Sequence, residues 1–586
     1  MNQLAVSNHN PIWQRLFPFL QWWPQVNRHT LKDDLIAGLT VALVAIPQSL
    51  AYAQLSGVPA YYGLYAALIP VIVGVLFGSS LLLSTGPVAM TSLLTAASIM
   101  PLATYGTEQF YAYVILMALL SGLVQIGLGV ARMGVLLNFL SYPVLRGFIN
   151  AAAIIIGLSQ LPAMVGLSLK NSQHFLTDVL HVLENVDAMH FESLLFGLGS
   201  LALMALLKKF APKLPGVLIT VALATFVSYA IGFEALGGRI VGAIPQGLPG
   251  ISIPPVDWKA SMHMLPTAFV IALISFMEAM SSAKIIAIKT RSQWDENQEL
   301  IGQGLAKVAA AFSHAMPVSG SFSRSALNLA AGAKTGMSSI FSALAVLLTL
   351  LFFTPLLHHL TKPVLAATIM MAVISLINFK TIKESWIAGK PDGIAAVITF
   401  IATLAFAPNI QNGILTGILL SLTLFLFRTM KPRIVLLGLD TDGMLRNAER
   451  FNLPRLHPQV TAIRFDGQLY FANVNYFEES TLYLVSHDPD LKYILVVANG
   501  INGLDASGVE MLKNLVDRLS QNKIALVFCS IKGNVTDVMQ RTGLIDKIGQ
   551  DNIFASEDAA LKEIARRLAH AGSDAGEAHA TFQAPA

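Results

Sequence analysis

Two ionisable residues lie where neither belongs. Arg324 sits in Gly320-Ser321-Phe322-Ser323-Arg324-Ser325 at the head of an apolar run. Glu278 sits in the apolar stretch Phe269 to Ala283, with Lys284 as its nearest charged neighbour. Such a residue is costly inside apolar surroundings unless it faces water, an ion or a partner. A guanidinium fork suits an oxyanion; a carboxyl can carry a proton or hold a cation. With both at one place, protonating Glu278 or setting a cation beside it would remove repulsion as the anion binds. The bland alternatives are an ion pair of Glu278 with Arg324 or Lys284, or a place for Arg324 at the cytoplasmic surface. Gln48, in Ile46-Pro47-Gln48-Ser49-Leu50, occupies nearly the same offset in the first half of the chain as Glu278 in the second. It can donate to an anion, and Tyr52 follows one helical turn later on the same face. An interhelical hydrogen bond explains either residue nearly as well.

Two short, interrupted segments supply positions for such groups. Ser84-Thr85-Gly86-Pro87 opens the apolar run Val88 to Ile99, and Pro317 to Ser321 opens Phe322 to Ala333. Ser or Thr at an N-cap, with Pro at the first helical position, marks a helix start. Each run therefore reads as a half-helix starting inside the membrane, its unpaired N–H groups and positive dipole end aimed at one place. Such termini bind anions, and Gly/Pro-interrupted segments at corresponding positions of two halves point to a midplane transport site. Two re-entrant or kinked helices with packing roles alone are the other reading.

The chain that must position them is long and charge-poor: 586 residues, 54% hydrophobic and 12% charged, with a mean hydropathy of +0.62. Soluble domains carry roughly twice that charged fraction, so an ordinary cytosolic enzyme is excluded. From Leu35 to Thr107 there is no Asp, Glu, Lys or Arg, room for about three spans at ~20 residues each. About seven apolar elements follow one another in each half, separated near Gly237 to Met264 by a stretch holding Pro245, Pro249, Pro254 and Pro255 that reads as a linker. Basic residues before the first span (Arg15, Arg28, Lys32) and after the last (Arg428, Lys431, Arg433) put both ends in the cytoplasm. The first 30 residues lack the layout of a cleavable signal and read as retained.

From Ile434 the texture changes to β-rich runs (Val460 to Arg464, Tyr493 to Val497, Ile524 to Phe528) alternating with amphipathic helical runs (Val509 to Leu519, Val535 to Arg541, Ala559 to Leu568). The expected organisation is an N-terminal cytoplasmic segment (1–32), a membrane domain (33–430, halves about 33–236 and 262–430), a soluble α/β domain (434–568) and a disordered tail (569–586). The one cysteine, Cys529, cannot form an internal disulfide, and His358-His359 has no acidic or Cys partner nearby, so neither metal nor cofactor is expected. Lys284, Lys289, Arg291, Asp295, Glu296 and Glu299 read as a solvated loop. A net charge of +4 gives no footprint for nucleic acid. No nucleophile with a base, metal cluster or phosphate-binding glycine loop suggests an enzyme.

The strings Ile46-Pro47-Gln48 to Tyr52-Ala53, Tyr62-Gly63-Leu64-Tyr65, Gly86-Pro87-Val88-Ala89, Asn297-Gln298-Glu299-Leu300-Ile301-Gly302-Gln303-Gly304 and Gly320-Ser321-Phe322-Ser323-Arg324-Ser325 resemble the sulfate permease (SulP) family of anion transporters, and the soluble part resembles the STAS domain that follows the membrane region there. The resemblance implies a mainly α-helical polytopic membrane protein of about fourteen segments in two inverted seven-segment repeats, split into core and gate, with the anion between the third and tenth segments. It carries substrate-binding positions onto Gln48, Tyr52, Val88, Ala89, Ser321, Phe322, Ser323 and Arg324, and coupling onto Glu278. It also implies an elevator-type movement within a homodimer in the inner (plasma) membrane. Relatives carry sulfate, bicarbonate, chloride or dicarboxylates. The Gly-Ser-Phe-Ser-Arg string and a Glu at 278 favour sulfate with proton symport; sodium-coupled bicarbonate transport, dicarboxylate transport and an uncoupled chloride/bicarbonate exchanger or channel remain open. In Asp505-Ala506-Ser507-Gly508, Ser507 matches a serine phosphorylated in the anti-sigma-factor antagonists that the STAS domain resembles. The other reading is a helix cap by Asp505 or Ser507.

Overall fold

The computed structural model describes residue 13 and residues 17–134, 141–167, 175–211, 214–254, 256–374, 376–407 and 409–573. Pro255 and the tail from 574 onward lie outside them, as does most of the segment before Phe17. The chain divides into two units, Met1–Ser421 and Leu422–Ala586.

In the first unit, seven segments follow one another: α1 (Arg28–Leu55), α2 (Tyr61–Ala66) continuing into α3 (Ile69–Phe77), α4 (Ala89–Ile99), α5 (Glu108–Val130), α6 (Tyr142–Ser159), α7 (Phe191–Phe210) and α8 (Gly216–Ile231). Seven more repeat the order: α9 (Trp258–Thr290), α10 (Glu296–Phe312), α11 (Phe322–Ala330), α12 (Met337–Leu348, carried on by a π-turn), α13 (Lys362–Ile374), α15 (Lys390–Ala405), which follows the short α14 (Phe379–Ala388), and α16 (Ile410–Met430). Eight helices among the described residues are long and apolar enough to cross a membrane, and α4 and α8 are among the shorter apolar ones.

Small residues decide how closely the helices approach, as expected where lipid offers no hydrophobic drive for association. A Cβ on Gly63 of α2 would stand 1.8 Å from the Ser49 carbonyl of α1, and one on Gly38 of α1 2.4 Å from the Ser338 carbonyl of α12. Gly122 of α5 and Gly304 of α10 meet in the same way, each 2.8 Å from the other's carbonyl. These contacts join α1 to α5 and α9 to α12 as one packed group. The remaining helices form another, with α6 on α15 through Gly147 against the Ala396 carbonyl, and α7 on α13. α8 and α13 also pack on α1, so the two groups meet there.

Local chemistry sets the helix starts. Asn27 and Thr30 form a capping box at α1, and Asp257 and Asp295 cap α9 and α10. Two expectations change accordingly. The interval read as a linker ends at Asp257, because α9 begins at Trp258. The solvated loop shrinks to a few residues, because α9 runs through Lys284 and Lys289 to Thr290 and Glu299 is only 1% exposed. Glu299 accepts from the Ser79 and Ser80 amides at 2.9 and 2.8 Å and from Gln303 Nε2 at 3.0 Å.

In the second unit, β3 (Arg433–Leu439), β4 (Leu445–Asn447), β5 (Val460–Leu469), β6 (Tyr493–Val497), β8 (Ala525–Cys529) and β9 (Ile553–Phe554) form a sheet in the order β4-β3-β5-β6-β8-β9, with β7 (Ile501–Leu504) paired to β5. Pairing from β5 through β9 is parallel, as the alternation of strands and helices requires. The helices are α17 (Val474–His487), α18 (Ala506–Gln521), α19 (Gly533–Arg541), α20 (Leu544–Ile548) and α21 (Glu557–Ser573). The last runs five residues into the stretch expected to be a disordered tail.

Candidate functional site: two half-helices meeting at a guanidinium

Just before α4 and α11 the chain is extended, and the two extended pieces pair. β1 (Thr85–Gly86) and β2 (Ser319–Gly320) are antiparallel, Thr85 opposite Gly320 and Gly86 opposite Ser319. Residues from two halves of the chain are thus related by a local two-fold, and both half-helices start from the same junction. The Ser321 amide donates to the Ser84 carbonyl at 2.8 Å, and the Ser84 amide to Ser325 Oγ at 2.9 Å. Gln303 Nε2 steadies β1 through Thr85 Oγ1 at 2.9 Å, and Asn328 Nδ2 ties α11 to the Leu82 carbonyl at 3.1 Å.

The helix starts differ from the sequence expectation in one respect. Ser321 caps α11, accepting from the Arg324 amide at 3.4 Å, whereas the cap of α4 is Val88, which has no side chain able to accept. Ser84 and Thr85 are spent in the strand pairing and Pro87 precedes the cap, so the first amides of α4 lack a side-chain acceptor. An uncapped N-terminus keeps its donors and positive dipole end available to an anion.

Arg324, 2% exposed, crosses this junction: Nη1 donates to the Pro87 carbonyl at 2.9 Å. Its Nη2 is buried with no hydrogen-bond partner, as are Glu278 Oε2 and Gln48 Oε1. Neither Arg324 nor Glu278 belongs to an ion pair within 4.0 Å among the described residues, so the simple salt-bridge alternative is not what the structure contains. They are still near enough for their charges to interact, and Tyr52 feels both. The junction therefore gathers Arg324, Glu278, Tyr52, Ser321, Val88 and Ala89. Gln48 lies buried one turn before Tyr52 on α1. Phe322 and Ser323 are exposed, Phe322 by 55%, on the open side of α11.

Sequence reasoning passed over one residue here. Lys307 lies in the apolar stretch Ile301 to Met316 and is the one Asp, Glu, Lys or Arg between Glu299 and Arg324. An ionisable residue in such a block is a functional candidate by default, and that signal was available. Its side chain is 0% exposed, and Glu278 is the charge that acts on it. Among the described residues no group of three His, Cys, Asp or Glu could hold a metal.

In the second unit, Asp505 Oδ1 caps α18 through the Gly508 amide at 2.8 Å while Oδ2 accepts from the Phe471 amide at 3.0 Å. Ser507 lines a surface groove of about 530 Å³ with Asn475, Glu478, Glu510 and Arg518. The Cys529 thiol is buried against the sheet, and burial pushes it up to about 12, which leaves it inert.

A long bundle in two inverted halves, with broken helices converging on a buried, incompletely paired guanidinium, defines the class of polytopic secondary transporters. The sulfate permease family model matches residues 31–402 and the STAS domain model residues 454–560. The chain belongs to the sulfate permease family, a family of transporters and not of enzymes. It is 31% identical over 561 residues to "Sulfate transporter 4.1, chloroplastic" of Arabidopsis thaliana, covering 92% of this chain and 81% of that one. It is 30% identical over 546 residues to a probable sulfate transporter of Mycobacterium tuberculosis, covering 93% and 97%. Among solved structures, the fold matches the murine solute carrier 26 family member A9 anion transporter with a TM-score of 0.86 at 22% identity, covering 97% and 96%. It also matches the transmembrane domain of the cyanobacterial bicarbonate transporter BicA with a TM-score of 0.58 at 24% identity, covering 68% and 98%.

Proposed function

We propose that the chain is a secondary active transporter of a small inorganic oxyanion, sulfate, taken up with protons. Arg324 supplies the fixed positive charge, the amides at the starts of α4 and α11 supply donors, and Glu278 carries the coupling proton. The observation that carries this reading is Arg324 Nη2, buried without a partner at the point where two helix N-termini meet. A buried charged donor left unsatisfied is expensive, and an oxyanion arriving there satisfies it together with free backbone amides. The names of the relatives favour sulfate among the anions such a site could take. Gln48, Tyr52, Val88, Ala89, Ser321, Phe322 and Ser323 complete the binding surface. Alternating access follows from movement of the core group against the gate group, an elevator-type step, in a homodimer in the inner membrane with both termini cytoplasmic.

The test is uptake of labelled sulfate into proteoliposomes under an inward proton or an inward sodium gradient, with bicarbonate, chloride and succinate as competitors. Proton-driven sulfate accumulation is expected. Sodium-driven uptake blocked by bicarbonate, or no sulfate uptake at all, would overturn the substrate and the coupling together.

A further inference from the structure

Behind the anion junction lies a second buried cation. Lys307 is on α10 at the point where α10 and α5 approach most closely: a Cβ on Gly122 would stand 3.0 Å from the Lys307 Cβ and 2.8 Å from the Gly304 carbonyl. That approach lets the lysine stem run along α5, so that Nζ donates to Gln125 Oε1 at 2.8 Å, one turn on from Gly122, and to Ser275 Oγ on α9. Ser275 and Glu278 are three residues apart on α9 and share a face. A short polar path joins them: the Ser319 hydroxyl of β2 donates to the Ser275 carbonyl at 2.7 Å and lies against the Glu278 carboxyl. On α5 and α9, the helices that supply its partners, Glu278 is the one formal charge near Lys307; on its own helix the buried Glu299 lies two turns away, with its oxygens accepting from the Ser79 and Ser80 amides and Gln303. After Glu108, α5 has no Asp, Glu, Lys or Arg, and between Lys259 and Lys284 α9 has Glu278 alone. The direct partners of the ammonium are both neutral.

Fully buried charges must be balanced by one another or by a ligand. In the empty site Arg324 and Lys307 face one carboxylate, leaving one positive charge in excess. With Glu278 protonated, two positive charges face the ligand, the complement of a dianion. A monovalent anion balances the same site only with Glu278 ionised, so it needs no proton. We propose that Lys307 is a specificity-determining positioning residue. As a positive charge behind Glu278, it makes the site take a divalent oxyanion together with one proton, in preference to a monovalent anion. This rests on the sulfate reading above and adds to it which charge state travels. The proton enters on the Glu278 carboxyl from the side that supplies the anion and leaves with it.

The experiment is equilibrium binding of labelled sulfate to the purified full-length protein in nanodiscs, with nitrate as the monovalent competitor, for wild type, Lys307→Gln, Lys307→Met and Lys307→Arg. The neutral variants are expected to lose about tenfold or more in sulfate affinity relative to nitrate, and Lys307→Arg to keep the wild-type ratio within about threefold. An unchanged ratio in neutral variants that still bind sulfate would reduce Lys307 to a space-filling role. Wild-type protein that binds no sulfate would instead overturn the proposed function, a result recognisable as different. Should the neutral variants fail to fold, wild-type sulfate–sulfate exchange in proteoliposomes decides. A loaded site of zero net charge exchanges at the same rate with the membrane clamped at zero or at about −100 mV; a clear dependence on potential would overturn the proposal.

Discussion

Arg324 of α11 and Pro87, in the peptide leading to α4, are joined by a hydrogen bond of 2.9 Å from Nη1 to the Pro87 carbonyl. The cation of one repeat is thereby aimed by the backbone of the other, and its second terminal nitrogen is held at the junction without a partner. Replacing Arg324 by Ala removes the charge and leaves the Pro87 carbonyl unpaired. A hydrogen bond to a charged group contributes about 1.5–3 kcal/mol, so sulfate affinity should fall by about 10- to 150-fold. Arg324→Lys should recover only part of this, because a point charge cannot reach Pro87 and the anion in one plane. Isothermal titration of purified protein with sulfate checks both, and wild-type affinity in the alanine variant would remove the residue from the site.

Gly86 is where the approach of Arg324 is bought in backbone terms. Its φ of +151° lies in a region that side chains rarely adopt, and a Cβ there would stand 3.0 Å from Arg324 Nη2. Gly86→Ala should therefore displace the guanidinium more than it unfolds the protein, since Nη2 is the free end of a flexible side chain. Sulfate affinity should drop about tenfold or more while the protein stays monodisperse on size exclusion; a well-folded variant with unchanged affinity would contradict the placement of Nη2.

How much of this was legible in the sequence depended on how local the cause was. The half-helices were legible because Gly86-Pro87 and Pro317 to Ser321 interrupt apolar runs, and Arg324 and Glu278 because an isolated charge in such a run is conspicuous. The caps were half legible. Ser321 follows the local rule, but Ser84 and Thr85 are diverted to pair with β2, whose partner is more than 200 residues away, and no local rule contains that. Glu299 misled for the same reason: it stands beside Asp295 and Glu296 in a polar string, yet its acceptors are filled by the amides of Ser79 and Ser80. Lys307 is as conspicuous, a lone charge in an apolar run, but its pairing is not legible, because its partners Gln125 and Ser275 come from two other helices. In the second unit, the three strands with strong β patterns were found, while the edge strands β4 and β9, two or three residues long, carry too little pattern to read.

Asp505, rather than Ser507, should hold the start of α18. Its two carboxylate oxygens accept from the Gly508 and Phe471 amides, and loss of a capping carboxylate costs about 1 kcal/mol. Asp505→Ala should raise hydrogen exchange across the first turn of α18 about fivefold in the full-length protein, while Ser507→Ala leaves it unchanged. Equal effects from the two substitutions would assign the cap to Ser507 instead.

Glu563 of α21 accepts from Arg566 at 2.7 and 2.8 Å and from Arg567 at 2.9 Å, and these guanidiniums hold its carboxyl down to about 2. A carboxyl lower in the folded state than in the unfolded chain, where it titrates near ~4.3, adds stability above that range and loses it as pH falls toward about 2. Glu563→Gln should lower stability at neutral pH and flatten its fall between about pH 5 and 3, so that variant and wild type converge at the acid end. Intrinsic fluorescence of the full-length protein against pH reads this, and identical acid limbs for variant and wild type would show that the pair contributes nothing.

Glu278 provides the sharpest separation between binding and coupling. Its Oε2 is buried without a hydrogen-bond partner, and the charges acting on the carboxyl are those of Lys307 and Arg324. Glu278→Gln keeps the shape and fixes the group in its uncharged form, so the anion still finds two positive charges but no proton can be taken up or released. Gradient-driven accumulation should fall to background, at least ~50-fold below wild type, whereas sulfate–sulfate counterflow, which needs no net proton movement, should persist. The pH dependence of counterflow should also flatten, because the variant has no carboxyl to protonate before the anion binds. Proteoliposome uptake with and without an imposed proton gradient, alongside counterflow from sulfate-loaded vesicles, gives both readings from one preparation. Accumulation at the wild-type level would take Glu278 out of the coupling step, while loss of counterflow together with accumulation would make it a binding residue and move the proton elsewhere in the site.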